Sequence, residues 1–231
     1  MRLKPDPIRR CSMTWIRPRS KPAAVLFDVD GTLYTNEAFL REQTDVLVER
    51  LATYLDVACE EAEWRVKEAK AQYLKRTGEP ASLSIAFREL GIDLDTSVAW
   101  RTELIKPEGR LSADYRLVPL IRAIAQRTAV AVITNNPVAI AQRTLDVLGL
   151  RRAFPVVVGL DTAMCSKPHW DIFQAALDAI GADAATTVMV GDRYGVDLAP
   201  IVVRGGGGFF IHSRQDLYDA CARIGVWLDD A

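Results

Sequence analysis

The chain has 231 residues, 49% hydrophobic and 26% charged, the profile of a soluble globular protein able to bury a core of real size. A formal net charge of −1 excludes a general basic field for nucleic acid or an anionic membrane, and no apolar run approaches the length of a transmembrane helix. Four scattered cysteines without C-x-x-C spacing and only two histidines argue against zinc and fit reduced, mostly buried thiols in a cytoplasmic protein.

Residues 1–20 differ from the rest. Arg2, Lys4, Arg9, Arg10, Arg17 and Arg19 face a single acid, Asp6, and prolines break any periodicity, so the expectation is a basic, disordered extension without a secretory h-region. The first apolar run follows, a strand over 23–28 that ends in Asp28-Val29-Asp30-Gly31-Thr32-Leu33. Two acids one residue apart point to opposite faces of an extended strand, but at a strand's end Gly31 lets the chain bend and brings both to one pocket. Such a pair suits phosphoryl transfer, one carboxylate attacking phosphorus and the other handling the leaving group's proton.

From Asn36 to about Arg110 no strand pattern occurs. Helical segments are expected over 38–55, 60–75, 82–90 and 96–104, which reads as a helical cap inserted over the acidic loop. Trp64 and Trp100 read as packing residues of that cap. Arg41, Arg65, Lys67, Lys70, Arg88 and Arg101 read as mostly its solvated face, one of them free to meet a substrate.

Beyond the insertion, strands are expected over 129–134, 154–158, 187–190 and 209–212, with helices over 114–126, 138–148, 170–180, 196–202 and 215–224. Apolar strands separated by helices make the fold class α/β, a doubly wound parallel sheet covered on both faces, with ligands beyond the carboxyl ends of the strands. Thr134-Asn135-Asn136 ends one strand with a hydroxyl and two amides, where the hydroxyl and the backbone N–H groups can hold phosphoryl oxygens. Ser166-Lys167-Pro168 offers a compact positive charge for a phosphoryl group, with Pro168 suited to the first turn of the next helix. Gly191-Asp192 closes an apolar strand and Asp197 follows five residues later, a spacing compatible with magnesium, which takes oxygen ligands and retains waters. Arg204-Gly205-Gly206-Gly207-Gly208 lacks the lysine and hydroxyl of a phosphate loop and reads as a flexible connector; His169 and His212 lack partners at metal or triad spacing and read as structural or exposed.

These four segments in this order resemble the haloacid dehalogenase superfamily, in its phosphatase branch, from about residue 21 to the C-terminus. The resemblance implies a Rossmann-like core over 21–35 and 111–231 with a helical cap over 36–110, similar to the C1 cap of phosphoglycolate phosphatases, β-phosphoglucomutases and nucleotidases. It implies that Asp28 is the nucleophile forming an aspartyl-phosphate, Asp30 the general acid/base, Thr134 the phosphate-binding hydroxyl with Asn135 beside it, and Lys167 the lysine steadying phosphoryl group and nucleophile. Magnesium is then held by the Asp28 carboxylate, the Asp30 backbone carbonyl and Asp192, with Asp197 a supporting acid. Arg193 departs from the family's usual Ser or Thr and adds a positive charge that can pair with a neighbouring carboxylate. The expected partner is a small phosphorylated metabolite of nucleotide, sugar phosphate or phosphoglycolate type, with no nucleic acid and no membrane; the oligomeric state is left open. A phosphomutase shares the acids and the cap, and a catalytically silent phosphate-binding relative is the other alternative. A signalling receiver would carry its accepting Asp later, and dehalogenation leaves Asp30 without an obvious use.

Overall fold

The computed structural model describes residues 14–18 and 20–229. Its sheet has the order β1-β6-β5-β2-β3-β4, formed by β1 (Thr14–Ile16), β2 (Ala24–Phe27), β3 (Ala129–Ile133), β4 (Val156–Val158), β5 (Thr187–Gly191) and β6 (Gly207–Phe210). β2 to β6 run parallel and β1 pairs antiparallel with β6, so the α/β sheet is mixed at one edge. Every residue of β2 and β5 is buried, as expected for central strands covered on both faces.

Alternation along β2 divides the core. Val25 and Phe27 pack on one face with Leu117, Ile121 and Ile124 of α5 (Leu117–Ala125) and Leu217 and Ile224 of the last helix, α9 (Arg214–Asp229). Leu26 packs on the other face with Ile172, Phe173 and Leu177 of α7 (Trp170–Ile180) and Ile201 of α8 (Ala199–Val202). Burying each such side chain is worth roughly 1.5–3 kcal/mol, so the two-sided core holds the strand ends rigidly. The chain leaves β2 for β3 on one side and returns, after α6 (Val138–Val147) and β4, to β5 on the other side of β2. That reversal puts a crevice at the carboxyl ends of β2 and β5, where ligands of open α/β sheets bind.

Between β2 and α5 lie α1 (Glu37–Leu55), α2 (Cys59–Thr77), α3 (Leu83–Glu89) and α4 (Leu94–Leu104). Asn36, Ser82 and Asp93 cap α1, α3 and α4 by accepting the backbone N–H of Phe39, Ile85 and Thr96. Gly78 ends α2 in the left-handed region at φ 76°.

Several expectations change. Residues 14–16 of the supposedly disordered extension form β1, because Trp15 lies over Phe209 and Trp227, at 6.4 and 5.5 Å between ring centroids, beside an otherwise unpaired edge of β6. Residues 1–13 and Arg19 lie outside the described residues. Gly207 and Gly208 are strand residues rather than a flexible connector; a Cβ on Gly207 would stand 2.6 Å from Pro18 and 2.7 Å from the Ile16 carbonyl oxygen. The helix expected over 196–202 opens as a π-helical turn, Tyr194–Leu198, before α8. Pro168 precedes the helix it was expected to start, since His169 caps α7. Trp100 packs inside, but Trp64 is 57% exposed. Arg101 is the larger surprise: it is 3% exposed, not solvated. Of the described cysteines only Cys221 is fully buried. Among the described residues no helix is long and apolar enough to cross a membrane.

Candidate active site

The hydrogen bond from the Asp28 N–H to the Val190 carbonyl oxygen extends the β2–β5 ladder one residue and fixes Asp28 at the crevice. The chain then turns, with Leu33 N–H on the Val29 carbonyl oxygen and Gly31 at φ 88°. Gly31 is required twice: the left-handed backbone suits glycine, and a Cβ there would stand 2.4 Å from Asp192 Oδ2. The bend brings Asp28 and Asp30 to one cavity of about 300 Å³, together with Asp192, Asn136, Gln43 and Arg101.

Lys167 is completely buried, its Nζ 2.5 Å from Asp28 Oδ1 and 2.7 Å from Asp197 Oδ1. Burial alone would lower its pKa, but Asp197 and Asp28 outweigh that and hold the ammonium charged. Asp28 accepts Thr32 Oγ1 at 3.2 Å through its other oxygen. Burial, opposed by Lys167 and reinforced by Asp197, pushes Asp28 up to about 7. Asp197 returns toward the site from the π-helical turn; its Oδ2 accepts the Arg193 N–H at 3.0 Å, and Gly191 leaves the room it needs.

Asp30 is held differently, by four neutral donors. Tyr34 Oη and Gln43 Nε2 donate to Oδ1, and Thr134 Oγ1 (3.3 Å) and Asn136 Nδ2 (3.0 Å) donate to Oδ2. Gln43 Nε2 also donates to Tyr34 Oη at 2.7 Å, and Asn136 Nδ2 to Gln43 Oε1 at 3.0 Å. Burial and the adjacent Asp30 raise the Tyr34 hydroxyl far above an ordinary phenol, so it stays a donor. The expected Thr134 therefore meets Asp30, whereas the Asn135 side chain is a strut: its amide exchanges hydrogen bonds with the Lys167 backbone at 2.7 and 3.1 Å. Tyr34, Gln43 and Asn136 were missed as site residues. Tyr34 and Asn136 sit within the motifs themselves, but Gln43 lies on a helix whose orientation no local pattern reveals.

Asp28, Asp192 and Asp197 present carboxylate oxygens within 4.8 Å of one another. Asp197 is already engaged, while Asp192 Oδ1 is buried without a hydrogen bond, with Arg193 Nε 3.6 Å away. Burial, opposed by Arg193, pushes Asp192 up to about 6. Hard carboxylate oxygens crowded at this density fit a divalent cation, which would relieve the repulsion and partner the orphan oxygen. Arg193 pairs with Asp192 and Asp197, the role open to it from its position, and its side chain is 43% exposed. His169 is exposed and caps α7, and His212 is exposed beside Phe210.

Residues 22–201 match the family model of haloacid dehalogenase-like hydrolases. A phosphoglycolate phosphatase of Rhodospirillum rubrum is 30% identical over 234 residues, covering 90% of this chain and 91% of its own. Another, of Xanthomonas campestris pv. campestris, is 32% identical over 177 residues, covering 74% of this chain and 75% of its own. Among solved structures, a haloacid dehalogenase-like family hydrolase from Xanthomonas campestris has a TM-score of 0.56 at 18% identity, over 94% of this chain and 99% of its own. The chain belongs to the haloacid dehalogenase-like hydrolases, in their phosphatase branch.

Proposed function

We propose that this phosphatase is a magnesium-dependent phosphomonoester hydrolase of the cytoplasm, with an aspartyl-phosphate at Asp28 and helices α1–α4 as its cap. The observation that carries this reading is the buried Asp28–Lys167–Asp197 row at 2.5 and 2.7 Å, whose Asp28 lines the same cavity as Asp30. Phosphate monoesters hydrolyse extremely slowly unaided, so charge neutralisation and positioning must supply most of the acceleration. Asp28, Asp192 and the Asp30 backbone carbonyl would hold magnesium, which when bound offsets phosphoryl charge and keeps Asp28 ionised.

Asp28 Oδ attacks phosphorus, forming the acyl-phosphate bond as the ester P–O bond breaks. Asp30 gives its proton to the departing alkoxide, then takes one from the water that attacks the aspartyl-phosphate and releases inorganic phosphate. Lys167, fixed between two acids, offsets charge on the nucleophile and on the incoming phosphoryl oxygens. Thr134 and the backbone N–H groups after it orient those oxygens. The Tyr34–Gln43–Asn136 set aims Asp30, and because Gln43 belongs to α1, the cap contributes directly to that aim.

A phosphate-release screen over nucleoside monophosphates, sugar phosphates and phosphoglycolate, with and without chelator, tests the proposal alongside trapping of the phosphoenzyme. Release that requires a divalent ion, with label on Asp28, is expected. Full turnover after exhaustive chelation, or label on another residue, overturns it.

A further inference from the structure

On the sheet side of the cavity each buried cation touches a carboxylate; on the helix side one does not. Arg101 of α4 is 3% exposed and lines the cavity beside Asp30. Among the described residues no acid lies within 4 Å of its guanidinium; its hydrogen bonds leave Nη1 alone, to Ser97 Oγ at 2.6 Å and the Ser97 carbonyl oxygen at 3.4 Å. A guanidinium carries five N–H donors in a rigid fork suited to carboxylate or phosphoryl oxygens, and most of these have no protein partner. Burial, opposed by the field of Asp30, brings Arg101 down to about 10, which leaves it a cation at neutral pH.

Ser84 of α3 supplies a second, independent signal. It is 8% exposed, lines the same cavity, and its Oγ is buried with no hydrogen-bond partner. Half-buried Lys70 lies close enough to Arg193 and Arg101 that, after burial, their charges lower its pKa. Two cations of the helices, Lys70 and Arg101, thus lie near Arg193, and an unpaired buried charge is strongly destabilising unless something neutralises it. The Phe87 ring, 5.8 Å from the guanidinium carbon, and Ser97 hold the guanidinium without neutralising it.

We infer that Arg101 and Ser84 form a second anion subsite, which takes a compact carboxylate or second phosphoryl group on the molecule whose first phosphoryl group meets Asp28. The subsite takes the other end of the same substrate and so rests on the phosphatase reading above. A cavity of about 300 Å³ is at the low end for ligand sites. The favoured substrate is therefore a short phosphorylated acid or a small diphosphate, and a neutral sugar or nucleoside tail would leave Arg101 and Ser84 unpaired.

The test compares phosphoglycolate and pyrophosphate, the two anionic tails, with ethyl phosphate, which has none. Wild-type kcat/KM should be higher for at least one anionic-tailed substrate, and the larger of the two ratios to ethyl phosphate identifies the group the subsite reads. Arg101→Met should cut that ratio roughly ten- to hundred-fold, the range for losing a hydrogen bond to a charged group, chiefly through KM. Arg101→Lys should restore part of it, and Ser84→Ala should lower it several-fold, which keeps the test usable if the methionine variant folds poorly. Dissociation constants measured on the Asp28→Asn background read the same ratio without turnover. An equal loss on all three substrates, or no preference in binding, overturns the subsite. A binding preference that depends on Arg101, with no phosphate released from any of the three, keeps the subsite and breaks the phosphatase reading.

Discussion

Lys167 and Arg101 are both buried cations in the same site, yet Lys167 sits between Asp28 and Asp197 while Arg101 has no acid within ion-pair distance among the described residues. The sheet side belongs to rigid strand ends, and its buried cation is paired by two acids before any substrate arrives. On the helix side the charge waits for a ligand. Paired charge preorganises chemistry; unpaired charge pulls in a substrate and rejects one that cannot answer it. The two acids of the first motif repeat the contrast, Asp28 against a cation and Asp30 among neutral donors.

The strongest way to break this picture is Asp28→Asn. An amide cannot form the acyl-phosphate, so phosphate release should fall by more than about ten-thousand-fold, with circular dichroism unchanged. Asp30→Asn comes next. An alkoxide needs a proton and nitrophenolate does not, so alkyl phosphates should lose roughly a hundred- to ten-thousand-fold. The burst of nitrophenol from p-nitrophenyl phosphate in rapid mixing should fall much less. Equal losses on both would remove Asp30 from the acid role and make it a shaper of the loop.

Stability separates the two cations. Lys167→Met strands Asp28 and Asp197 in the interior and should cost about 3–5 kcal/mol in urea unfolding of the metal-free protein. Arg101→Met removes a buried charge that had no acid partner and should leave the midpoint level or raise it. Matching losses in the two variants would mean that Arg101 is structurally paired after all. Tyr34→Phe removes one of the four donors to Asp30 and should lower kcat on alkyl phosphates about tenfold, a hydrogen bond's worth of aim, with a smaller change in KM.

The smallest effect is on pH dependence. Asp28 and Asp192 lie at about 7 and about 6 when folded, against roughly 3.9 for a free aspartate. The native state therefore keeps protons that the unfolded chain has already lost. The stability these groups contribute is full below about pH 4 and is lost as pH rises through 6 and 7. Relative to Asp28→Asn, the metal-free wild type should melt a few degrees lower at pH 8 than at pH 5. Added magnesium should reverse that difference at pH 8. A flat difference would mean that burial does not strain these acids.

The acids that line the cavity were legible because local pattern carries them: an apolar run, then an acid at the turn, is a strand end whichever strands flank it. The same holds for Asp192 after Val188-Met189-Val190, and for the helices whose capping residues stand in the sequence at Asn36, Ser82 and Asp93. What could not be read is whatever depends on a partner distant in the chain. β1 exists because the edge of β6 and the rings of Phe209 and Trp227 receive Trp15, which composition hides under arginines and prolines. Gly207 and Gly208 read as slack chain, but Pro18 and the Ile16 carbonyl oxygen approach Gly207 too closely for a Cβ, and the Leu198 side chain packs tightly against Gly208. On α4 both Trp100 and Arg101 turn inward, and the α4 sequence alone does not say which face meets α1 and α3. The sequence by itself determined the α/β alternation and the acids placed at the strand ends, since strand and helix periodicity and turn residues act over a few positions. The tertiary structure alone decided which of those residues are paired, that Gln43 reaches Asp30, and that Arg101 is a buried cation facing the cavity, because pairing and desolvation depend on groups brought together from 13 to 139 positions apart in the chain.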